Sequence, residues 1–437
     1  MSQIYDYVDW RLGALHHVEE LSDTYVQKSL KIKSKSKKSM DSDNIFERWN
    51  LNRIINVSGT MTSLGASRVL PKIRKDVDQI LNSFVDIDQL QNEASRVIRK
   101  VIGSESGCIT SSSSAGIVAS IASFITQNNL DKIEKIPLEN EKSKVVLQMG
   151  HQINYGAPVD QSIKLTGAKV QLIGSAAQCE TYHLRNSLDQ DVICGLYVIS
   201  HHTVRENELP LDLFVNICHE QNVPVIVDMA SEYDLTNPIK LGADLVIYSG
   251  HKFLSGVTSG IVAGKKQYIK NVYLQNRGIG RHMKVGKEGI AGAISALECW
   301  MTRDHEFEKN KETQIIKKWK NDLFDLQGIE ISEHEDWTGN PITRLKIKID
   351  PERCFANAWE ISSRLKNLNP SIVVRDDLIE NQEFFLDPCN INHDEIGLVS
   401  DSIIKVLNDF TNDPERKKET WSEVKSTRGK NILSWGD

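Results

Sequence analysis

Lys252 sits in the run Ser249-Gly250-His251-Lys252, directly after the apolar stretch Leu245 to Tyr248 and ahead of a segment rich in Gly and Ser. A lysine just past a buried strand, flanked by small residues, suits a Schiff base with an aldehyde cofactor. Upstream, Asp228 ends a second apolar run, Val225-Ile226-Val227. A carboxylate at a strand end suits a protonated pyridine nitrogen. The 24 residues from Asp228 to Lys252 leave room for one loop and one strand. Both groups can then share one edge of a parallel sheet, where ligands bind in open α/β folds.

These residues carry a resemblance. The stretch is similar to the cofactor segment of fold-type I pyridoxal-phosphate (PLP) enzymes. Within them it most resembles the group that contains bacterial selenocysteine synthase and D-glucosaminate-6-phosphate ammonia-lyase. The matching elements are Asp228, the run GADLVIYSGHK ending on Lys252, Lys287 with Glu288 in KVGKEGI, and the earlier GTMTSLGAS from Gly59 to Ser67. The similarity covers roughly residues 50 to 400, and these elements in this order are a specific signal. It implies PLP as cofactor, with Lys252 as its lysine and Asp228 on its pyridine nitrogen. It also implies an α/β large domain, a mostly parallel sheet with helices on both faces, plus a small α+β C-terminal domain.

The elements that must position these groups follow from the pattern of the chain. At 437 residues there is room for two domains. A charged fraction of 26% and a hydrophobic fraction of 40% are those of a soluble globular protein. The net charge of −6 argues against a general nucleic-acid surface, and leaves a small anionic ligand open. Seven scattered cysteines form no C-x-x-C and read as reduced thiols of a cytoplasmic protein. No stretch is apolar enough for a membrane span.

Residues 1–50 form a unit of their own: an amphipathic helix (Ile4, Val8, Leu12, Leu15, Val18), then a lysine-rich linker from Lys31 to Lys38. The lysine run reads as a solvated linker, with an anion-binding arm as the alternative. Residues 51–305 are expected to form the large domain, starting with a strand at Ile54–Val57 and a helix from Leu81 to Lys100. Strands at Val145–Met149, Lys169–Ile173, Val192–Ile199, Pro224–Asp228 and Leu245–Tyr248 alternate with helical patterns, as in a parallel sheet wrapped by helices. From about His305 a charged helix leads into the small domain, residues 306–437, with a tail or subunit contact over the last 25 residues.

Several candidates lie at strand ends. Ser111, Ser112, Ser113 and Ser114 precede an alanine-rich helix, where hydroxyls and free N–H groups make an anion site. Seen alone the stretch is a polar loop with a serine cap. In the family's order it becomes the phosphate cup, with Ser249 assisting. The resemblance gives His151 the place of the ring that covers the pyridine, and His251 a place beside the cofactor. His201 or His202, after the third strand, are candidates for substrate contact. The cationic segment Arg277, Arg281, Lys284, Lys287 matches a part that lines the active site, in its own or a neighbouring subunit. Lys287 is the expected catalytic member and Arg281 a substrate contact. Arg375, at a strand end of the small domain, suits a substrate carboxylate, because a guanidinium fork matches it in two parallel bonds. No Cys/His spacing suits a metal.

The expected function is a PLP-dependent lyase, eliminating ammonia or a β-substituent from an amino acid. Racemisation or epimerisation stays open, as does selenocysteine-synthase-like transfer on aminoacyl-tRNA. A catalytically silent PLP-binding scaffold is the reading from outside the enzymes. The expected partners are a small amino-acid substrate and further copies of the chain, as a dimer or dimer-based ring.

Overall fold

The structure, a computed structural model, describes residues 43–138 and 143–434. The amphipathic helix and lysine-rich linker expected near the amino terminus lie outside them.

Seven strands form the central sheet: β2 (Ser106–Thr110), β3 (Lys144–Gln148), β4 (Lys169–Ile173), β5 (Val192–Val198), β6 (Val225–Asp228), β7 (Leu245–Ser249) and β8 (Gly260–Gly264). Their order is β2-β8-β7-β6-β5-β3-β4. Strand β8 runs opposite to the other six, antiparallel to both β2 and β7, and the remaining pairings are parallel. Strands β6, β7 and β8 are buried on both faces, which explains their unbroken apolar runs. Alternate side chains feed two cores. Val225, Val227, Val246 and Tyr248 join one, while Ile226, Leu245, Ile247 and Val262 join the other. Each such Val, Leu or Ile contributes about 1.5–3 kcal/mol of transfer free energy before entropy is counted.

Helices cover both faces. Helix α1 (Pro71–Leu81), α2 (Ile87–Ile102) and α5 (Lys287–Thr302) serve the first core; α3 (Ser113–Thr126) and α4 (Lys266–Leu274) serve the second. The single helix expected from Leu81 is broken. Asp86 accepts from Gln89 N at 2.9 Å and so starts α2 as its N-cap, leaving residues 82–86 as a turn.

The carboxyl-terminal unit packs helices α6 (His305–Leu323), α7 (Ala358–Lys366) and α8 (Ile396–Thr411) on an antiparallel sheet of β9 (Ile329–Glu335), β10 (Thr343–Ile349) and β12 (Glu383–Leu386). Strand β1 (Ile54–Val57), expected at the head of the large domain, pairs in parallel with β11 (Ser371–Val374). Its Ile55 and Val57 are buried in the carboxyl-terminal core. The tail is also more ordered than its composition suggests. Helix α9 (Trp421–Leu433) follows a docked segment in which Trp359 Nε1 donates to Glu419 O at 2.8 Å.

Candidate active site

Register alone brings the cofactor candidates to one edge. Thr110, at the end of β2, pairs with Gly260, and Gly260 pairs with Ser249 at the end of β7. Asp228, at the end of β6, lies beside Ile247 and Val198. Because β8 is antiparallel, its first residue stands at the carboxyl edge of its neighbours. Strands lie about 4.8 Å apart, so Thr110 and Ser249 are separated by about 10 Å. Gly260 permits the approach between them, since a Cβ there would meet Ser112 O at 2.2 Å.

Lys252 sits in the loop after β7, and Ser67 Oγ donates to its carbonyl at 2.8 Å. Its Nζ makes no hydrogen bond among the described residues. Burial holds the amine below the ordinary lysine value; Asp228 and Glu232 pull the other way and Arg375 adds to the depression. Asp228 is buried with one bond to its carboxyl, from Ala230 N at 3.2 Å. Burial raises it to about 6, against the opposing effect of Lys252. Such a carboxyl lacks a strong partner, and a pyridinium N–H would supply one.

At the amino end of α3, Ser112 caps the helix, accepting from Ala115 N at 3.1 Å. Ser114 Oγ lies 3.2 Å from Tyr155 OH and 3.3 Å from Ser162 Oγ. Ser111 and Ser113 are half-buried and make no side-chain hydrogen bond among the described residues. They are the hydroxyls left for an anion. Ser249 Oγ is already 2.9 Å from His251 Nδ1. Burial, then Lys252, lowers His251 to about 4, so a neutral ring adjoins the lysine.

Arg375 reaches the same region from the small domain. It is 5% exposed, its Nε bonds Asp377 at 2.7 Å, and its guanidinium lies 5.1 Å from the Trp337 ring centre. Among the described residues its Nη2 is buried without a hydrogen-bond partner, as is His201 Nε2, which lies 3.9 Å from Asp377 Oδ2. Unsatisfied buried donors are rare and mark a place for a ligand oxygen. Gly59, at φ +91°, lets the loop after β1 pass close by; a Cβ there would stand 2.9 Å from Asp387 Oδ2. His202 is exposed, its ring 3.8 Å from that of His201.

The charge that the sequence reading missed is Glu232. It is buried four residues after Asp228, in the loop between the two strands, and it acts on the Lys252 amine. Thr338 Oγ1 is 2.6 Å and Asn340 Nδ2 3.0 Å from its Oε2. Both partners come from the small-domain loop after β9. Its one local signal was a second carboxylate near a strand end.

Three expected site residues are placed elsewhere within the chain. His151 is fully buried. Its Nδ1 accepts from Val198 N at 3.2 Å, Nε2 lies 2.8 Å from Glu208, and the ring packs edge-on to Tyr197. It therefore has no open face to lay on a pyridine. Lys287 Nζ donates to the carbonyls of Leu81, at 3.0 Å, and Ser83, and lies over the Phe84 ring, so within its own chain the amine is engaged there. Arg281 is exposed on a short helix, Ile279–His282, packed against α3.

Comparison with known proteins follows this geometry. The profile of the SelA family, L-seryl-tRNA selenium transferase, matches residues 54–327. The chain is 31% identical to D-glucosaminate-6-phosphate ammonia lyase of Salmonella typhimurium, covering 82% of this chain and 96% of the relative. It is 28% identical to a 5'-C-glycyluridine monooxygenase-decarboxylase of a Streptomyces species, covering 78% and 86%. A solved structure of D-glucosaminate-6-phosphate ammonia-lyase superposes with a TM-score of 0.77 at 29% identity, covering 85% of this chain and all of that one. SPT with PLP, at 12% identity and a TM-score of 0.53, covers 82% of this chain and 88% of that one, and shares the fold. The chain belongs to the SelA family.

Proposed function

We propose that this SelA-family chain is a PLP-dependent lyase that releases ammonia from a β-hydroxylated, anionic amino acid. The observation that carries the reading is the pair Asp228 and Lys252 on one sheet edge, a buried carboxyl with a single backbone hydrogen bond and a half-buried lysine whose Nζ makes none among the described residues. The relative with ammonia-lyase activity, matched over nearly its whole length, supports the reaction class.

The residues present fit the cofactor. Ser111 and Ser113, with the free N–H groups of α3, would hold its phosphate, and Asp228 its ring nitrogen. PLP, when bound, draws electrons from the substrate α-carbon. The protein does the rest. Arg375 Nη2 and the neutral His201 hold the carboxylate. Lys252 Nζ, made less basic by burial, takes the α-proton. The Trp337 ring, 5.1 Å from the Arg375 guanidinium, shields that side of the cation from water and so strengthens its hold on the carboxylate.

We also propose that the protein works as a homodimer. Phe84 is fully exposed, Leu81 half-exposed, and the exposed Arg281 and Lys284 have no ion pair among the described residues. An exposed aromatic beside unpaired cations suits a contact that also supplies charge to a neighbouring site.

The test is direct. The purified protein should absorb in the visible range of a PLP Schiff base and release ammonia from D-glucosaminate 6-phosphate, forming a 2-oxo acid. A protein that binds PLP but only exchanges the α-hydrogen of that probe would be a racemase or epimerase. One that binds no PLP would not be an enzyme of this kind.

A further inference from the structure

The contacts of Glu232 hold one short bond too many for the protons available. Thr338 Oγ1 lies 2.6 Å from Glu232 Oε2 and 2.7 Å from Asp336 Oδ1. A hydroxyl carries one proton, so it donates to one carboxylate only. Both contacts are hydrogen bonds when one carboxyl is itself protonated. Asp336 is not the one, because its Oδ2 is paired with Arg344 Nη1 at 2.6 Å. Thr338 then donates to Asp336, and Glu232 carries the proton and donates to Thr338. Burial of Glu232 acts in the same direction, raising it to about 7.

The surroundings hold this acid in place. Asn340 Nδ2 bridges Glu232 and Asp336 at 3.0 Å each, and its Oδ1 accepts from Tyr233 N at 2.7 Å. Arg344, 2% exposed, ties Asp336 to Asp387 through Nε at 2.7 Å. A buried chain of charges of this kind adds little to stability compared with apolar packing, so a positioning role accounts for it better. On the large-domain side, Glu232 stands on the loop after β6, where Ser249 N bonds Ala230 O at 3.2 Å, and its charge reaches Lys252. Its Oε1 accepts no hydrogen bond among the described residues. A neutral acid electrostatically coupled to the lysine base, its proton held by one threonine hydroxyl, is a group the lyase reading has not used.

We propose that Glu232 is the acid that protonates the leaving β-oxygen of the substrate. The inference rests on the lyase reading and adds a second proton-transfer group to it. Lys252 takes the α-proton, and the electron pair of that C–H bond becomes an α,β double bond. The C–O bond breaks with its electrons on oxygen, which takes from Glu232 Oε2 the proton until then donated to Thr338, and leaves as water. Thr338 then turns its hydroxyl to the new carboxylate, while Asp336 keeps Arg344 and Asn340. The β-carbon regains a proton from the Lys252 ammonium, water releases the nitrogen as ammonia, and solvent reprotonates Glu232. The substrate class is therefore a 2-amino-3-hydroxy acid, whose hydroxide is too poor a leaving group without an acid.

The experiment uses the holoprotein and follows two partial reactions of D-glucosaminate 6-phosphate in D2O by NMR: loss of the α-hydrogen signal and release of ammonia. Wild type should show both; failure of both in wild type overturns the lyase reading and this inference with it. Exchange without ammonia in wild type overturns them as well and leaves racemisation. With both present, Glu232→Gln should keep its cofactor band and its α-exchange within about threefold. Its ammonia release should drop by about 10²–10⁴-fold, the usual contribution of a general acid. β-Chloroalanine separates this role from a structural one, because chloride leaves without a proton. Relative to wild type, the Gln variant should eliminate chloride within about threefold. Equal loss of exchange, ammonia and chloride would make Glu232 a structural strut and overturn the assignment, as would a Gln variant with normal ammonia release. Thr338→Val, which leaves Glu232 in place, guards against a Gln variant that does not fold. It should slow ammonia release by about tenfold at unchanged exchange, and a parallel fall of both would also overturn the proposal.

Discussion

Ser67 Oγ donates to the carbonyl of Lys252 at 2.8 Å, across 185 positions of sequence. The loop that follows β1 thereby fixes the backbone on which the proposed cofactor lysine stands. Leu70 N, bonded to Ser255 O at 3.2 Å, holds the far side of the same turn.

That anchoring separates the lysine's chemistry from its scaffold. Lys252→Ala removes only the side chain, while the bond from Ser67 reaches the main chain and survives. The variant should fold as wild type does, by circular dichroism and thermal midpoint, and lose all borohydride-reducible PLP. Reduced cofactor recovered on a peptide carrying another lysine would refute the assignment.

Asp228→Asn tests the electron sink. Asparagine keeps the shape and the bond from Ala230 N but carries no charge to hold a proton on the ring. Cofactor retention should weaken moderately, and α-hydrogen exchange should fall by orders of magnitude. Near-normal exchange in this variant would remove Asp228 from its role.

How much of this was legible depends on sequence distance. The placement of Lys252, Asp228 and Ser249 at one sheet edge is readable because a strand and its end residue are neighbours, and an unbroken apolar run reports burial on both faces. His151 was misplaced because what buries it comes from Val198 and Glu208, 47 and 57 residues away. Glu232 shows little in the sequence beyond a second carboxylate near a strand end for a similar reason: its partners Thr338 and Asn340 lie 106 and 108 residues downstream. The parallel pairing of β1 with β11 joins the two ends of the fold, so local pattern placed Ile54–Val57 with the wrong neighbours. Strand β9 was passed over because it is an edge strand, half-exposed and rich in Glu, and lacks a buried strand's composition.

Protonation of Glu232 has a consequence for stability. The groups that face it are Lys252, Asp336, Thr338 and Asn340. Its carboxyl moves from an ordinary 4.5 to about 7 on folding, so the folded state favours the neutral form. Stability from this group is fully present below about 4.5 and is lost as pH rises through about 7. At 1.36 kcal/mol per pKa unit the loss is on the order of 3 kcal/mol at most. Glutamine does not titrate, so Glu232→Gln should gain stability on wild type between pH 5 and pH 8. Urea unfolding of the two cofactor-free proteins at both pH values reads this difference, and the effect of Asp228 cancels. A difference independent of pH would mean that Glu232 is ionised throughout.

The proposed dimer can be tested at Lys287. In its own chain this amine is held by the carbonyls of Leu81 and Ser83 beneath Phe84, an aromatic ring left wholly in solvent. On the dimer reading, contact with a second copy draws Lys287 off those carbonyls, and the segment from Arg277 to Lys287 then brings its positive charge to an anionic substrate in the neighbouring site. Light scattering should give twice the chain mass, and a fully active monomer would end both the dimer and the crossing role. Lys252→Ala and Lys287→Ala homodimers should each be inactive or nearly so. Mixed after mild dissociation, they form hybrids in which one site keeps both lysines only if Lys287 acts across the interface. Random mixing at equal amounts makes half of the dimers hybrids, each with one working site, so about a quarter of wild-type activity should return. If Lys287 acts within its own chain, every hybrid site lacks one of the two lysines, and activity should stay at the level of the separate variants.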